Sequence, residues 1–420
     1  MPSKIDFVVC CSRWVGHSGR EGSIAQFLRG WAFFLANAAY FNPEVMMRLC
    51  YIVRGTKVMT RALDLARLLS TATLWVIALL FPSVAAAGFM NPGVIDTIPV
   101  PVRAFGVAVN PLTDRLYVSA GDVFGLVSVV DTQTNTDLTE IHVGDGPQGI
   151  AVNPVTNRVY AVNVRDQTVS VIDANTNAVI ATISGLAFRP RSLGINRLSN
   201  TIYVANEGNG SGTTLSVING YTNAIIQDIH VGTGPNGVAV NSHTNRIYTA
   251  NGTSNTVSVV DGSTNTVIAT IPVGFRPLDV AVNVLANKIY VSNSADDTMS
   301  VIDGETNVVI DTIPVGKTPR GISIDEISNQ VYLANYGENS LYVIDGITNS
   351  LLFNIPVGLQ PHFTAFDAEN NRLYVANDAG ATVTVIGNLG SVPEPTSLVL
   401  FGLGTFIILS LNFIGRRRTC

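Results

Sequence analysis

Between Gly88 and Gly390 the chain has no cysteine; its four cysteines, Cys10, Cys11, Cys50 and Cys420, all lie outside. Disulfide staples are therefore excluded across this region, and packing alone must hold it together. The region also lacks any stretch with apolar residues at helical spacing, which excludes a helical bundle or a βα layer. Positive charge is scarce, with 13 Lys and Arg against 25 Asp and Glu from Gly88 to Gly390. That balance excludes the basic face that nucleic-acid binding requires. No Cys-x-x-Cys-His is present to attach haem. No Gly-x-Ser-x-Gly or glycine-rich phosphate loop stands in a strand–turn–helix context.

What is present is repetition. Tyr117, Tyr160, Tyr203, Tyr248, Tyr290, Tyr332 and Tyr374 follow one another in steps of 43, 43, 45, 42, 42 and 42 residues. Each sits in nearly the same sentence, of which Ala281-Val282-Asn283 through Lys288-Ile289-Tyr290-Val291-Ser292-Asn293 is one copy. A fixed period of about 40–45 residues with four strand-like runs is the signature of a propeller blade. The expected fold is therefore all-β, a seven-bladed β-propeller of four-stranded blades occupying residues 88–390.

One copy shows the four runs. Asp279–Val282 is a short apolar run, and Lys288–Val291 alternates polar and apolar residues. Met299–Ile302 is a third strand, closed by the turn Asp303-Gly304-Glu305-Thr306-Asn307, where Gly and Asn tolerate positive φ. Val308–Val315 carries Pro314 and so reads as an edge strand. The seventh copy stops after three runs, ending at Val383–Ile386. Val94-Ile95-Asp96-Thr97-Ile98-Pro99-Val100 closely matches Val309-Ile310-Asp311-Thr312-Ile313-Pro314-Val315 and has no strands of its own before it. This N-terminal segment is expected to complete the last blade and remove its open edge.

The flanks point to export. Residues 59–87 read as a signal peptide, with Arg61 and Arg67, an apolar Leu68–Leu80 and a small-residue Ala85-Ala86-Ala87. Residues 1–58 are then expected to be either an unusual N-terminal extension or, the favoured reading, the product of a misplaced start with translation beginning near Met46, Met47 or Met59. Behind the ring, Leu398–Ile414 is about the minimum length for a spanning helix, and Arg416, Arg417 and Arg418 place its far end in the cytoplasm.

Two resemblances follow from these residues. Pro393-Glu394-Pro395, the apolar helix and the triple arginine, in that order within residues 391–420, resemble the PEP-CTERM sorting signal. The resemblance implies an exosortase as partner, membrane association through the C-terminal helix before processing, and a surface or exopolysaccharide-matrix setting. Segments such as Arg372-Leu373-Tyr374-Val375-Ala376-Asn377 and Val301-Ile302-Asp303-Gly304 are similar to YVTN-family, YncE-like propeller repeats. That resemblance implies the fold and an extracytoplasmic location, and little about chemistry.

The repeated residues point to structure rather than chemistry. The tyrosines read as core. Asp131, Asp173, Asp261, Asp303 and Asp345 read as turn caps, and the Asn three after Tyr in six copies (Asn163, Asn206, Asn251, Asn293, Asn335, Asn377) as a loop start. The informative positions vary within the pattern. Each inner strand begins at a proline (Pro147, Pro190, Pro235, Pro277, Pro319, Pro361), with Ala104 in the first copy. The following residues are Phe105, Gln148, Arg191, Asn236, Leu278, Arg320 and His362, and the preceding ones include Arg103, Arg189 and Arg276. In a propeller this loop borders one mouth of the central channel. Five arginines and a histidine thus gather there in an otherwise acidic domain, and the guanidinium fork suits carboxylate, phosphate or sulfate. The competing expectation is that these arginines pair with Asp122, Asp166, Asp297, Glu338 or Asp378.

The residues favour a binding or interaction module, with an acidic polysaccharide or a surface protein as partner, no cofactor and no catalytic residue. The alternative is a lactonase- or lyase-type enzyme using a divalent cation in the channel. Asp279, at a position where four other copies have glycine, is the one metal-ligand or base candidate, alongside Asn236, Gln148 and His362; it is expected to pair instead with Arg276 or Arg320.

Overall fold

The computed structural model describes residues 91–101, 103–121 and 125–389. The signal segment 59–87, the extension 1–58, the sorting tail from Ser391 and the apolar stretch 398–414 lie outside the described residues, as does Asp122. Among the described residues no helix is long and apolar enough to cross a membrane.

Among the described residues, twenty-eight strands, numbered β1 to β28 in chain order, form seven four-stranded antiparallel sheets. The innermost strands are β2 (Ala104–Asn110), β6 (Pro147–Asn153), β10 (Pro190–Asn196), β14 (Pro235–Asn241), β18 (Pro277–Asn283), β22 (Pro319–Asp325) and β26 (Pro361–Asp367). Each packs against its two neighbours, so the seven close into a ring around one channel. The last sheet takes three strands from the C-terminal end and its outer strand, β1 (Gly93–Pro99), from the N-terminal end. β1 pairs antiparallel with β28 (Thr382–Gly387), from Gly93↔Gly387 to Pro99↔Thr382. The ring is therefore closed as the sequence expects.

The core is divided into seven apolar clusters, one at each interface between blades. Each tyrosine belongs to such an interface. Tyr117 is fully buried against Val152 and Val159 of the next blade, and its hydroxyl donates to Asn177 Oδ1 at 3.1 Å. At the closing interface Tyr374 packs with Leu116 and Val118 and reaches the Thr132 carbonyl at 3.5 Å. Burying seven such rings supplies much of the stabilisation that disulfides provide elsewhere.

Asparagine stitches the rest. The Asn three after the tyrosine in six blades, replaced by Ala120 in the first, is the last residue of its strand and clips it to the next one rather than starting the loop. Asn293 Nδ2 donates to Thr298 Oγ1 at 3.0 Å and Ser300 Oγ at 2.9 Å, and Asn163, Asn206, Asn251 and Asn377 repeat the pattern. At the opposite end of the inner strands, Asn110, Asn153, Asn196, Asn241 and Asn283 each donate to an asparagine of the following blade. Those acceptors, Asn157, Asn200, Asn245, Asn287 and Asn329, all hold φ between 50° and 55°, a conformation asparagine tolerates better than most side chains. The turn aspartates cap as expected: Asp303 Oδ1 accepts from the backbone N–H groups of Glu305 and Thr306.

Candidate functional site at one mouth of the channel

The loops before the inner strands converge on one mouth, and a second set of loops joins them there. The residue after the repeated asparagine donates its N–H to the carbonyl of the residue before the proline in every blade. Examples are Glu207 to Arg189 at 3.0 Å, Gly252 to Gly234 at 2.8 Å and Asp378 to Gln360 at 3.1 Å. Two variable positions per blade thus lie side by side at the same mouth. Sequence reading found the ring after the proline and missed this one (Gly121, Val164, Glu207, Gly252, Ser294, Tyr336, Asp378), whose signal was the same variability within a fixed frame.

The mouth is not symmetric. Around blade four, Gly234 and Gly252 remove a side chain from both sets of loops, and a cleft of about 330 Å³ opens there. Arg191 and Glu207 line it on one side, Arg276 and Leu278 on the other, with Asn236 on its floor. One wall comes from the longest repeat, the 45-residue step, whose loop makes a short turn at Gly208–Gly210. Thr253 Oγ1 fastens that wall by donating to the Gly210 carbonyl at 2.7 Å. Phe188 and Phe275, each directly before a mouth arginine, are 55% and 62% exposed.

Below the cleft lies a chamber of about 20 Å³, sharing Arg191, Asn236 and Leu278 with it and adding Asp279, Arg320, His362 and Phe363. His362 is 4% exposed, with its ring centroid 3.6 Å from that of Phe105. Its Nε2 pairs with a guanidinium nitrogen of Arg320. A guanidinium only donates, so Nε2 accepts and the proton sits on Nδ1, which has no partner. Burial first, then the charges of Arg320, Arg191 and Arg103, hold His362 well below the usual imidazole range. It is neutral at pH 7. Arg320 lies over the Tyr336 ring, 3.8 Å from the centroid, a cation–π contact that fixes its stem. Burial pushes its guanidinium down to about 10, with Arg191 and Arg276 contributing, so the charge remains at neutral pH.

The arginines divide into two groups. Arg103 makes a two-pronged pair with Asp378, at 2.9 and 2.8 Å, as one of the competing expectations held. Arg191 approaches Glu207 only to 3.9 Å. Among the described residues, Arg189, Arg276 and Arg320 have no carboxylate within ion-pair reach. The other acids are committed elsewhere. Asp166 accepts from the Asp145 N–H and Asp297 from the Thr318 N–H, while Glu338 accepts from the Ser340 hydroxyl. Arg189 and Arg276 also hold φ of 53° and 52°, where the equivalent Gly146 and Gly234 are unstrained. A non-glycine residue there costs on the order of 1 kcal/mol or more.

Asp279 does not pair with Arg276 or Arg320. Its Oδ2 accepts from the Ile322 N–H at 2.9 Å, tying β18 to β22. The other glycines at this position explain why so few side chains fit: a Cβ on Gly149 or Gly321 would lie 2.6–2.7 Å from the backbone of the next inner strand. Deprived of water and of a cationic partner, the Asp279 carboxyl is pushed up to about 7. Among the described residues no group of three or more His, Cys, Asp or Glu side chains is placed to hold a metal. Gln148, at the mouth on β6, lines neither space, and its buried Oε1 lacks a partner.

The fold and the tail together define a class: a seven-bladed propeller carrying a sorting motif. Residues 391–418 match the family described as the PEP-CTERM protein-sorting motif, which implies export, processing by an exosortase and surface sorting with a membrane anchor. No curated protein matches the chain. Among solved structures it is similar to the hydrazine synthase of Kuenenia stuttgartiensis, at 18% identity and a TM-score of 0.61, over 69% of this chain and 97% of that one. At that identity the likeness concerns the fold alone.

Proposed function

We propose that this chain is an exported propeller of the YVTN type that works as a binding module at the cell surface or in the surrounding matrix, taking an anionic ligand at its arginine-lined mouth. Residues 59–87 are its signal peptide. The apolar stretch 398–414 anchors it until the exosortase acts on Pro393-Glu394-Pro395, with Arg416, Arg417 and Arg418 on the cytoplasmic side. One observation carries the binding reading: among the described residues, Arg276 in the cleft, Arg320 in the smaller space adjoining it and Arg189 at the same mouth lack a carboxylate partner, in a ring where acids outnumber bases. Such uncompensated guanidinium groups are suited to an incoming carboxylate, sulfate or phosphate. Exposed Phe188 and Phe275 beside them suit the flat face of a sugar, which favours an acidic polysaccharide over a small ion.

The test is thermal unfolding of the full-length chain with D-glucuronate, inorganic sulfate, inorganic phosphate and uncharged glucose. A ligand bound only by the folded state adds about 2.7 kcal/mol at 100 times its Kd. We expect at least one anion to raise Tm where glucose does not, and Arg276→Ala and Arg189→Ala to cut that rise. Equal responses to glucuronate and glucose, or none to any anion, overturn the reading.

A further inference from the structure

We propose that the chamber beneath the cleft is a carboxylate subsite, in which one ligand oxygen enters among Arg320, His362 and Arg191, and that binding there is coupled to proton uptake by Asp279. The proposal rests on the anion-binding reading of the mouth and names both the chemistry and the regulation of its inner end.

The size of the space comes first. A volume of about 20 Å³ is on the order of what one or two water-sized groups need. A tetrahedral oxyanion entering by one oxygen spreads its remaining oxygens across the opening. A carboxylate can lead with a single oxygen and leave the other, with the rest of its molecule, in the cleft of about 330 Å³ above. Arg191 and Asn236 line both spaces and so stand between the two oxygens.

The donors come second. Two residues lining the chamber carry buried donors without partners: Arg320 at Nε and His362 at Nδ1. Leaving such donors unpaired in a folded protein is unfavourable unless something else satisfies them. His362 cannot easily act as a cation, since burial and three arginines keep it neutral. It acts instead as a fixed neutral donor, its other nitrogen being held by Arg320.

Asp279 supplies the coupling. The groups around it are Asn236 on β14, Arg320 and the Ile322 N–H on β22, His362 on β26, Arg191 on β10 and Ser292 beside it. Of these only Asp279 changes charge near neutrality, since its carboxyl is pushed up to about 7. When protonated it leaves the chamber's positive charge intact and offers an O–H. When ionised it opposes an incoming carboxylate. A bound anion therefore raises its proton affinity further, and binding above pH 7 must draw a proton from solvent.

The experiment is isothermal titration of the full-length chain with D-glucuronate, in two buffers of different ionisation enthalpy, at pH 6.0 and pH 8.5. We expect affinity several-fold tighter at pH 6.0. We also expect uptake of up to about one proton per ligand near pH 8, with both effects absent in Asp279→Asn. His362→Phe, which keeps the ring packed on Phe105, should weaken binding about tenfold or more at both pH values. Thermal unfolding confirms that each variant is folded, and should His362→Phe fail, Arg320→Lys tests the same donor set. Binding that is lost in Arg276→Ala but shows no proton uptake and no response to His362→Phe would overturn the chamber and leave the mouth standing. Absence of glucuronate binding in the wild-type chain would overturn both.

Discussion

Single residues here carry two tasks at once, and their substitution separates the tasks. Asn287 holds φ at 50° and also accepts an inter-blade bond from Asn241 at 2.9 Å. Asn287→Gly keeps the relaxed backbone and loses only the bond, so it should cost about 1 kcal/mol. Asn287→Ala loses the bond and strains the backbone as well, so about 2–3 kcal/mol is expected from urea unfolding. Equal costs for the two would show that the positive φ contributes nothing. Asp279 gives a second contrast. Its folded pKa lies above the unfolded value, so the folded state holds a proton that the unfolded chain releases. Stability from this group therefore falls as pH rises from about 4 to about 7 and is level above that. The turn aspartates Asp131, Asp173, Asp261 and Asp303 are held low by backbone N–H groups, and what they add is lost only in the acid range. Asp279→Asn retains an oxygen for the Ile322 N–H and removes the titration. Relative to wild type it should gain about 3 kcal/mol between pH 5 and pH 8, nearly all of it below pH 7. A pH-independent difference in Tm would show that Asp279 is not held protonated.

At the scale of elements, the ring depends on one strand borrowed from the far end of the chain. β1 covers β28 and buries Ile98, which is 2% exposed, within the closing cluster. Removing residues 93–100 leaves β28 as an open edge and opens that cluster. The expected result is a lower Tm and association through the bare edge, seen by light scattering; a monodisperse chain of unchanged Tm would show the strand to be dispensable. This closure was legible in the sequence because β1 repeats the wording of β21 (Val308–Pro314). The blades were legible for a related reason: each strand meets the same neighbours in every copy, so the same side chains recur. The mouth was only half legible. The residues after the prolines could be read because they vary in a fixed frame. Which acid meets which arginine could not, because Arg103 and Asp378 stand 275 positions apart and meet only through ring closure. Asp279 was misread for the converse reason. Arg276 and Arg320 are near it in the repeat, yet the tight spacing of inner strands turns its carboxyl onto a backbone N–H.

On the scale of the whole molecule, a near-sevenfold frame carries a candidate site built around blade four. The frame is covalently uncross-linked between Gly88 and Gly390, so a reductant should leave its Tm unchanged. Its asymmetry arises where blade four loses two side chains and the longest repeat adds a wall. Into that gap face guanidinium groups of an otherwise acidic ring, so an approaching anion is repelled by most of the surface and attracted at one opening. Two sources of affinity can then be told apart by salt. Arg276 is exposed and Arg191 partly so, with a side-chain exposure of 25%. Their field is screened as the Debye length shrinks from about 10 Å at 0.1 M to about 3 Å at 1 M. On the chamber proposal, His362 and Arg320 act by contact on a buried ligand oxygen, which salt screens much less. Raising NaCl from 0.1 M to 1 M should therefore weaken glucuronate binding several-fold without abolishing it, and the remainder should vanish in His362→Phe. Complete loss of binding at 1 M NaCl would assign all the affinity to the outer arginines. Indifference to salt would assign it to the chamber, and the exposed arginines would then serve only to steer the ligand toward the opening.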